Sequence, residues 1–337
     1  VSIMSISAKE LAKQLGLSAA TISIALNDKP GVSEVTRKRV LEAAKAQGFD
    51  FGRVRRRSAL RGCFAFVIYK KHGAVVSETS FFSELTDGIS LACREYGFGL
   101  EIHYLLSSKH LSEDLSVLAA QNLDGILVLA TEMHAADVNM LAQCPVPIVI
   151  LDTYFEGVSQ NYVLINNLQG AYIAANYLIA KRKCQPGYLR SSYAIGNFAE
   201  RADGFYKAIR ENGMSASKSI VHLLAPSVEG AYADMLSLLR SGESVAPCYF
   251  ADNDLIAVGA MRAFRACGYR IPEDVGFVGF DNTSLCELIE PPLTTINVPR
   301  QAMARVAVER LISLATSGVK ECTKTMIMTT LVKRASL

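Results

Sequence analysis

Apolar positions along this chain follow two different patterns, one in the first fifty residues and another in the rest. From residue 63 onward, short runs that are apolar throughout alternate with windows in which apolar residues recur every three or four positions. Unbroken apolar runs are typical of strands buried on both faces of a parallel sheet. The strand-like runs are residues 64–69, 100–106, 125–130, 147–151, 247–251 and 275–280.

Amphipathic windows separate these runs throughout the body of the chain, residues 63–337. They are residues 83–96, 112–120, 169–180, 200–212, 230–240, 255–266 and 300–315. Alternating strands and helices predict an α/β fold, and a body of this length has room for two parallel-sheet subdomains. Because ligands of such folds bind beyond the carboxyl ends of the strands, we expect a ligand site where those ends meet.

Three short helices are predicted before the body begins. Ser7 followed by Glu10 is a capping-box pattern that starts the first helix, and Gly16 ends it because glycine tolerates a positive φ. Ser18 is placed to cap the second helix and Ser33 to cap the third. The close spacing of the last two predicts a helix-turn-helix, although any three-helix bundle would produce similar apolar stripes.

The outer face of the second predicted helix lacks long charged side chains. Its inward stripe is Ile22, Ala25 and Leu26, which leaves Ala19, Ala20, Ser23, Ile24 and Asn27 pointing outward. Solvated helix faces usually carry charged residues instead. A face of small residues lets the backbone approach base edges, and short polar side chains suit phosphate oxygens. The polar residues that we assign to this role are Thr21, Ser23, Asn27, Ser33 and Thr36.

The charge distribution also separates the head of the chain from its body. Residues 1–62 contain 12 Lys/Arg and 5 Asp/Glu, a net charge of +7; since the whole chain has 35 and 32, the remainder has 23 and 27, or −4. A small basic module attached to a slightly acidic body predicts a nucleic-acid partner for the first part only.

Other features narrow the class of protein. The eight cysteines are widely spread without a C-x-x-C pair, which favours reduced thiols and argues against a metal site. The nucleotide-binding, nucleophile-elbow and zinc-protease motifs of enzymes are missing, so we expect no catalysis and no cofactor. The chain shows neither a signal-peptide pattern nor an apolar run of membrane-spanning length. We therefore expect a cytoplasmic protein that does not bind a membrane.

Two stretches resemble a known family. The run LGLSAATISIALN at 15–27, followed by VSEVTRKRV at 32–40, resembles the helix-turn-helix of the lactose-repressor (LacI/GalR) family of bacterial transcription regulators. ADNDLIAVGAMRAFRACGYRIPEDVGFVGFDN at 251–282 and PPLTTINVP at 291–299 resemble the effector-binding body of that family. Ile24 stands where the family usually has arginine. An apolar side chain can contact a thymine methyl group but cannot bind guanine through two hydrogen bonds, so a different operator is expected.

The resemblance implies three regions: a helix-turn-helix head at 1–50, a hinge at 51–62, and an effector-binding and dimerisation body at 63–337. The implied body has two periplasmic-binding-protein-like (type I) subdomains joined by three crossings, near 164, 293 and 325. The N-terminal subdomain would hold about 63–164 and 294–325, and the C-terminal subdomain about 165–293 and 326–337.

The basic run RVRRRSALRG at 53–62 corresponds to the family's hinge, although a solvated basic linker would look similar. In the family this segment forms a short helix on the operator, and its leucine wedges into the minor groove and bends the duplex. Leu60 is the candidate wedge, and Ser58 is the alternative register. Arg55, Arg56 and Arg57 would lie near phosphates.

The resemblance also implies a set of effector-binding residues, which are Asp152, Arg201, Asn253 and Asp281. Each has a structural alternative: Asp281 could cap a turn, Asn253 could cap the helix starting at Asp254, and Arg201 could pair with Glu200 or Asp203. Phe81 and Phe82 are candidates for an aromatic wall. The loop before them is longer than the family's usual one and would bring His72, Glu78 and Thr79 to the mouth of the cleft.

These observations predict a dimeric repressor of carbohydrate uptake or catabolism genes. It would bind a near-palindromic operator and be released or modulated by a sugar or sugar derivative. The absence of an evident leucine-heptad tail favours a dimer over a tetramer. One alternative is a global catabolite regulator with a phosphoprotein co-effector, and another is a co-repressor-dependent member. An exported solute-binding receptor shares the implied body but would not carry the basic head.

Overall fold

The computed structural model describes residues 8–26, 31–47, 49, 60–71, 73–77, 79–106, 111–141, 144–317 and 321–337. The chain divides into two compact units, residues 1–63 with 96–99 and residues 64–95 with 100–337. No helix within the described ranges is long and apolar enough to cross a membrane.

Three helices form the first unit: α1 (Ala8–Leu15), α2 (Ala19–Leu26) and α3 (Glu34–Ala46). The predicted caps are present, since the backbone N–H of Thr21 donates to Ser18 Oγ at 3.0 Å and that of Thr36 donates to Ser33 Oγ at 3.2 Å. Gly16 has the expected positive φ of 66°. The helices pack around a small core of Leu11, Ala12, Ile22, Ala25, Val40 and Ala44. The helix-turn-helix prediction is therefore confirmed.

The second unit is built from strands and helices in alternation. In chain order the strands are β1 (Gly62–Lys70), β2 (Phe98–Leu106), β3 (Gly125–Leu129), β4 (Ile148–Leu151), β5 (Asn161–Ile165), β6 (Gly187–Ser191), β7 (Val221–Leu224), β8 (Cys248–Ala251), β9 (Gly276–Asp281), β10 (Thr294–Asn297), β11 (Lys324–Ile327) and β12 (Thr330–Val332). The helices are α4 (Phe81–Glu95), α5 (Leu111–Ala119), α6 (Ala135–Leu141), α7 (Asn167–Arg182), α8 (Gly196–Glu211), α9 (Val228–Arg240), α10 (Asp254–Ala266), α11 (Leu285–Leu288) and α12 (Arg300–Ser317).

The strands form two six-stranded sheets, which confirms the predicted fold class. The first has the order β11-β5-β4-β3-β1-β2 and the second the order β12-β10-β9-β8-β6-β7. The neighbouring strands from β11 to β1 in the first sheet and from β10 to β7 in the second pair in parallel, whereas β10 and β12 pair antiparallel. The central strands β3, β4 and β8 are buried along their whole length, as their unbroken apolar runs predict.

The chain passes between the sheets after β5, after β10, and between β11 and β12. Two of these crossings lie later than expected. The second was expected near 293, but Thr294 and Thr295 are buried in the second sheet. Thr295 Oγ1 donates to Asp254 Oδ1 at 2.5 Å, and this contact holds β10 beside α10. The third was expected near 325, but β11 pairs with β5 as far as Ile327.

Candidate effector site and DNA-binding surface

A cleft lies at the carboxyl ends of the strands in the second unit, where the topology predicts a ligand site. Its empty space is about 320 Å³ when the open solvent at its mouth is included. The candidate effector residues Phe81, Phe82, Asp152, Arg201, Asn253 and Asp281 all line it. Thr79, which was predicted to lie at the mouth of the cleft, lines it as well. Six further lining residues had not been predicted: Val75, Thr131, Ile165, Ile195, Asn197 and Phe198.

Arg201 is the centre of the hydrogen-bond network in this cleft. It lies on α8 and is only 3 % exposed. Its Nε donates to Asn167 Oδ1 at 2.9 Å, and its Nη1 donates to the carbonyl oxygen of Asp252. Its Nη2 donates to Asp281 Oδ1 at 3.2 Å, so the ion pair forms with Asp281 and not with Glu200 or Asp203. The guanidinium carbon also lies 3.7 Å from the ring centre of Phe280, a cation–π contact.

The two aspartates of the cleft have left-handed backbone conformations. Asp152, directly after β4, has a φ of 74°, and Asp281, at the end of β9, has a φ of 108°. Few residues other than glycine adopt such values, and each instance costs on the order of 1–3 kcal/mol. Strain of this kind clusters at ligand sites because the surrounding structure holds side chains in position against it.

The two carboxylate oxygens of Asp152 differ in their hydrogen bonding. Its Oδ2 accepts a hydrogen bond of 2.5 Å from Thr131 Oγ1. Its Oδ1 is buried and makes no hydrogen bond within the described part of the chain. Burial raises the pKa of this carboxyl, although Thr131, Arg201 and Asn197 oppose the rise. A buried acceptor without a donor is costly, so a ligand hydroxyl at this position would be favourable.

The carboxyl group of Asp281 has a raised pKa. Burial raises its pKa to about 7, the Arg201 guanidinium opposes that rise, and the nearby carboxylates of Asp254 and Asp152 add to it. Desolvation therefore outweighs a single ion pair, as is common for carboxylates with low solvent exposure. Protonated or ionised, this carboxyl can hydrogen-bond a polyhydroxylated ligand.

Asn253 lines the cleft and also has the structural role anticipated for it. Its Oδ1 accepts from the backbone N–H of Ile256 at 2.9 Å and so caps α10. The neighbouring carboxylates are structural as well. Asp252 accepts from the Tyr188 hydroxyl and from the backbone N–H of Ser191, and Asp254 accepts from two threonines. The ADND motif thus fastens the start of α10 to β6, to β10 and to the loop after β9.

Phe81 and Phe82 begin α4, at the mouth of the cleft. Both are buried, and their ring centres lie 5.0 Å apart in an edge-to-face arrangement. Thr79 also lines the cleft, and its Oγ1 accepts from the backbone N–H of Phe81 at 3.2 Å. The other two loop candidates, His72 and Glu78, lie outside the described residues.

The first unit presents the surface predicted to face DNA. Ala19, Ala20 and Ser23 are exposed on α2, whereas Ile24 is half-buried. Arg37, which the sequence analysis did not assign, has its Nη1 3.4 Å from the carbonyl oxygens of Ile24 and Ala25, where it interacts favourably with the C-terminal end of α2. Leu60 is half-buried. The candidates Ser7, Asn27, Arg55, Arg56 and Arg57 lie outside the described residues.

Comparison with known proteins identifies the family. Residues 7–50 match the family described as bacterial regulatory proteins, lacI family, and residues 175–337 match a periplasmic binding protein-like domain. The HTH-type transcriptional repressor PurR of Mannheimia succiniciproducens is 30 % identical over 313 residues, covering 91 % of this chain and 90 % of PurR. The chain belongs to the LacI family. It is therefore a DNA-binding transcription regulator.

Other LacI-family proteins match over almost the whole chain. The HTH-type transcriptional regulator GalS of Salmonella typhimurium is 29 % identical over 340 residues, covering 98 % of this chain and 96 % of GalS. The solved structure of the transcriptional regulator CelR in complex with cellobiose superposes with a TM-score of 0.73 at 27 % identity, covering 98 % of this chain and 99 % of CelR. The head, the body and their order along the chain are thus those of LacI-family regulators.

The titration of Asp281 gives a testable pH dependence. Between the ordinary aspartate pKa near 4 and its folded value of about 7, the folded protein keeps a proton that the unfolded chain releases. The free energy of unfolding should therefore fall as pH rises through this window, by at most about 1.4 kcal/mol per pH unit from this one group. Asp281→Asn should make that slope shallower in denaturant unfolding at pH 5, 6, 7 and 8.

The matched control is Asp203→Asn, on the exposed side of the same helix as Arg201. It should reproduce the wild-type slope. Asp252, whose pKa burial raises to about 6, contributes in the same direction in both variants. The difference between slopes therefore measures Asp281 together with its effect on the neighbouring carboxyls of Asp152 and Asp254. Equal slopes in wild type and Asp281→Asn would contradict the assignment.

Proposed function

We propose that the protein is a dimeric operator-binding repressor that is released from DNA when a small neutral sugar binds in the cleft. The observation that carries the proposal is the arrangement of Asp152, Arg201 and Asp281. Two buried carboxyl groups and one buried guanidinium converge on a cleft with aromatic walls, and no described residue donates a hydrogen bond to Asp152 Oδ1. Sugar hydroxyls supply donors and acceptors together, and aromatic rings suit the apolar faces of sugars.

The charges of the cleft favour a neutral sugar over a phosphorylated or acidic one. Among the described residues that line the cleft, Arg201 is the only cation, and each of its three nitrogens already donates to the protein. Asp152 and Asp281 would repel an anion whenever they are ionised. The relative solved with cellobiose supports the sugar class.

The first unit would bind the operator through α2. Ala19, Ala20 and Ser23 leave a face that fits a major groove. In this proposal further contacts with the operator come from Ser7, Ser18, Thr21, Ile24, Asn27, Ser33 and Thr36. In this proposal residues 51–62 form the hinge, Leu60 enters the minor groove at the centre of the site, and Arg55, Arg56 and Arg57 bind phosphates. Two heads would bind two half-sites of a near-palindrome.

The dimer would form through the edge of the first sheet. Strand β2 lies at that edge, and its Ile102, Tyr104 and Leu106 are 43, 59 and 72 % exposed. Leu91 on α4 and Val117 on α5 add exposed apolar area. An exposed apolar edge strand invites pairing or coverage, and a two-fold contact between identical chains covers it.

Arg300 would carry the signal from the cleft to this dimer surface. It begins α12, and its Nε donates to Glu84 Oε2 on α4 at 2.8 Å. Its Nη1 and Nη2 donate to the carbonyl oxygens of Asp281 and Asn282 at 2.5 and 3.1 Å. One guanidinium therefore joins the ligand-binding end of β9 to the helix that carries Leu91. A change in the angle between subdomains must strain or break this link, which gives the sugar two states to distinguish.

The effector proposal is tested with pairs of sugars and their phosphates. D-ribose, D-glucose and D-galactose, each beside its terminal phosphate ester, and cellobiose would be screened by thermal shift on the full chain. A neutral sugar should raise the melting temperature and its phosphate should not. Asp152→Asn should weaken the best sugar by about 10-fold or more, because a hydrogen bond to a charged group is replaced by a neutral one.

The matched control is Glu156→Gln, an exposed residue four positions along the same loop. It should bind the sugar as wild type does. Tighter binding of a phosphate ester than of its parent sugar, or wild-type affinity in Asp152→Asn, would refute this description of the cleft.

The operator contact of Ile24 gives a separate prediction. Ile24→Arg should change the preferred base at one position of each half-site by about 1–3 kcal/mol, because arginine can bind guanine with two hydrogen bonds. Selection of bound duplexes from a randomised half-site library would measure it. Ser23→Ala is the control, since loss of a phosphate contact should weaken all sequences about equally. An unchanged preference in Ile24→Arg would show that another residue occupies this position in the groove.

A further inference from the structure

A buried carboxylate that the family resemblance does not account for lies beside the cleft. Glu132 follows β3 by three residues and is 2 % exposed. Its Oε2 accepts from the backbone N–H groups of Lys71 and Gly73, both at 2.9 Å. Its Oε1 accepts from those of Val75 and Val76, at 3.0 and 3.1 Å. One side chain thus binds four backbone donors that lie 56 to 61 positions away in sequence.

These donors belong to the segment that walls the cleft. Val75 lines the cleft, and both Val75 and Val76 are buried. Within the 73–77 turn, the backbone N–H of Ser77 donates to the Gly73 carbonyl oxygen at 3.1 Å. The Glu132 carboxylate spans the turn from its first residue to Val76, so it determines where Val75 stands relative to a bound ligand.

Thr131, the residue before Glu132, binds a second part of the site. Thr131 Oγ1 donates to Asp152 Oδ2 at 2.5 Å, and Thr131 itself lines the cleft. Two adjacent side chains at the end of β3 therefore position a ligand-facing carboxylate and an apolar wall at the same time. A shift of this segment would move both, which links the two halves of the binding surface.

The chemistry of the contact requires an ionised carboxylate at this position. Four converging N–H groups form an anion-binding concavity, in which a carboxylate accepts every donor. A carboxamide of the same shape has one acceptor oxygen and presents two N–H donors to N–H groups of the turn. At least two of the four backbone donors would then be buried without an acceptor, and the turn would have to rearrange to satisfy them.

We propose that Glu132 is a specificity-determining positioning residue, which fixes the 73–77 turn as a rigid wall of the effector site and thereby limits which sugars fit. It does not touch the ligand. The proposal rests on the proposed function as far as the ligand is a sugar, whereas the anchoring of the turn can be tested without any ligand.

The first test is hydrogen exchange on the full-length protein without ligand. The amides of Lys71, Gly73, Val75 and Val76 should exchange at least ~10-fold faster in Glu132→Gln than in wild type, since each loses or weakens its acceptor. The control is Asp137→Asn, another buried carboxyl near the end of β3, which accepts from the backbone N–H of His134 and does not contact the turn. It should leave these four amides unchanged. Unchanged exchange in Glu132→Gln would overturn the proposal.

The second test measures discrimination between D-glucose and D-galactose, which differ in the orientation of one hydroxyl group. The ratio of the weaker sugar's dissociation constant to the tighter sugar's should fall by ~5-fold or more in Glu132→Gln and stay constant in Asp137→Asn. A turn that is no longer fixed should exclude the more weakly bound epimer less strongly. A merely structural role would lower stability but leave the ratio unchanged, and that result would overturn the specificity claim. If no sugar of the thermal-shift series binds the wild type, the sugar proposal fails, and the exchange rates still decide whether Glu132 anchors the turn.

Discussion

The structure of the candidate effector site depends on one buried cation shared among several acceptors. Arg201 binds the Asn167 side chain, the Asp252 carbonyl and the Asp281 carboxylate, and stacks on Phe280. Desolvating a guanidinium is costly, so each of these partners must stay in place for the charge to be tolerated. α8, the start of α10 and the end of β9 are therefore fixed relative to one another, and the cleft is preorganised before a ligand arrives. Preorganisation of this kind lowers the cost of binding.

The same constraint connects ligand binding to the rest of the body. The end of β9 carries both the Asp281 side chain in the cleft and the carbonyl that Arg300 binds from α12. Arg300 also binds Glu84 on α4, so this arginine links the end of β9 to the helix that packs on the first sheet's side of the body. Arg201 holds the same strand end within the part of the body built on the second sheet. A ligand that hydrogen-bonds Asp281 acts where these links meet. In the proposed mechanism, differential contacts at this strand end become a change in subdomain angle, to which the DNA-binding head responds.

The sequence predicted what depends on local patterns and missed what depends on contacts between distant residues. Ser18 and Ser33 were identifiable as caps because a hydroxyl three positions before a free N–H is a local signal, and the strands β3 and β4 followed from unbroken apolar runs. The crossing after β10 was misplaced because the contact of Thr295 with Asp254 spans 41 positions. Glu132 could not be assigned for the same reason, since nothing around it indicates that four backbone donors from another loop surround it. The family resemblance, not periodicity, supplied the effector candidates.

The central claim is that occupancy of the cleft and affinity for DNA are two sides of one equilibrium. It is tested most directly by measuring the operator dissociation constant with and without saturating sugar, and the sugar dissociation constant with and without saturating operator. Linkage requires the two factors to be equal, and a regulator of this kind should show a factor of about 5–150 in both. Equal operator affinity with and without a sugar that demonstrably binds would contradict the account.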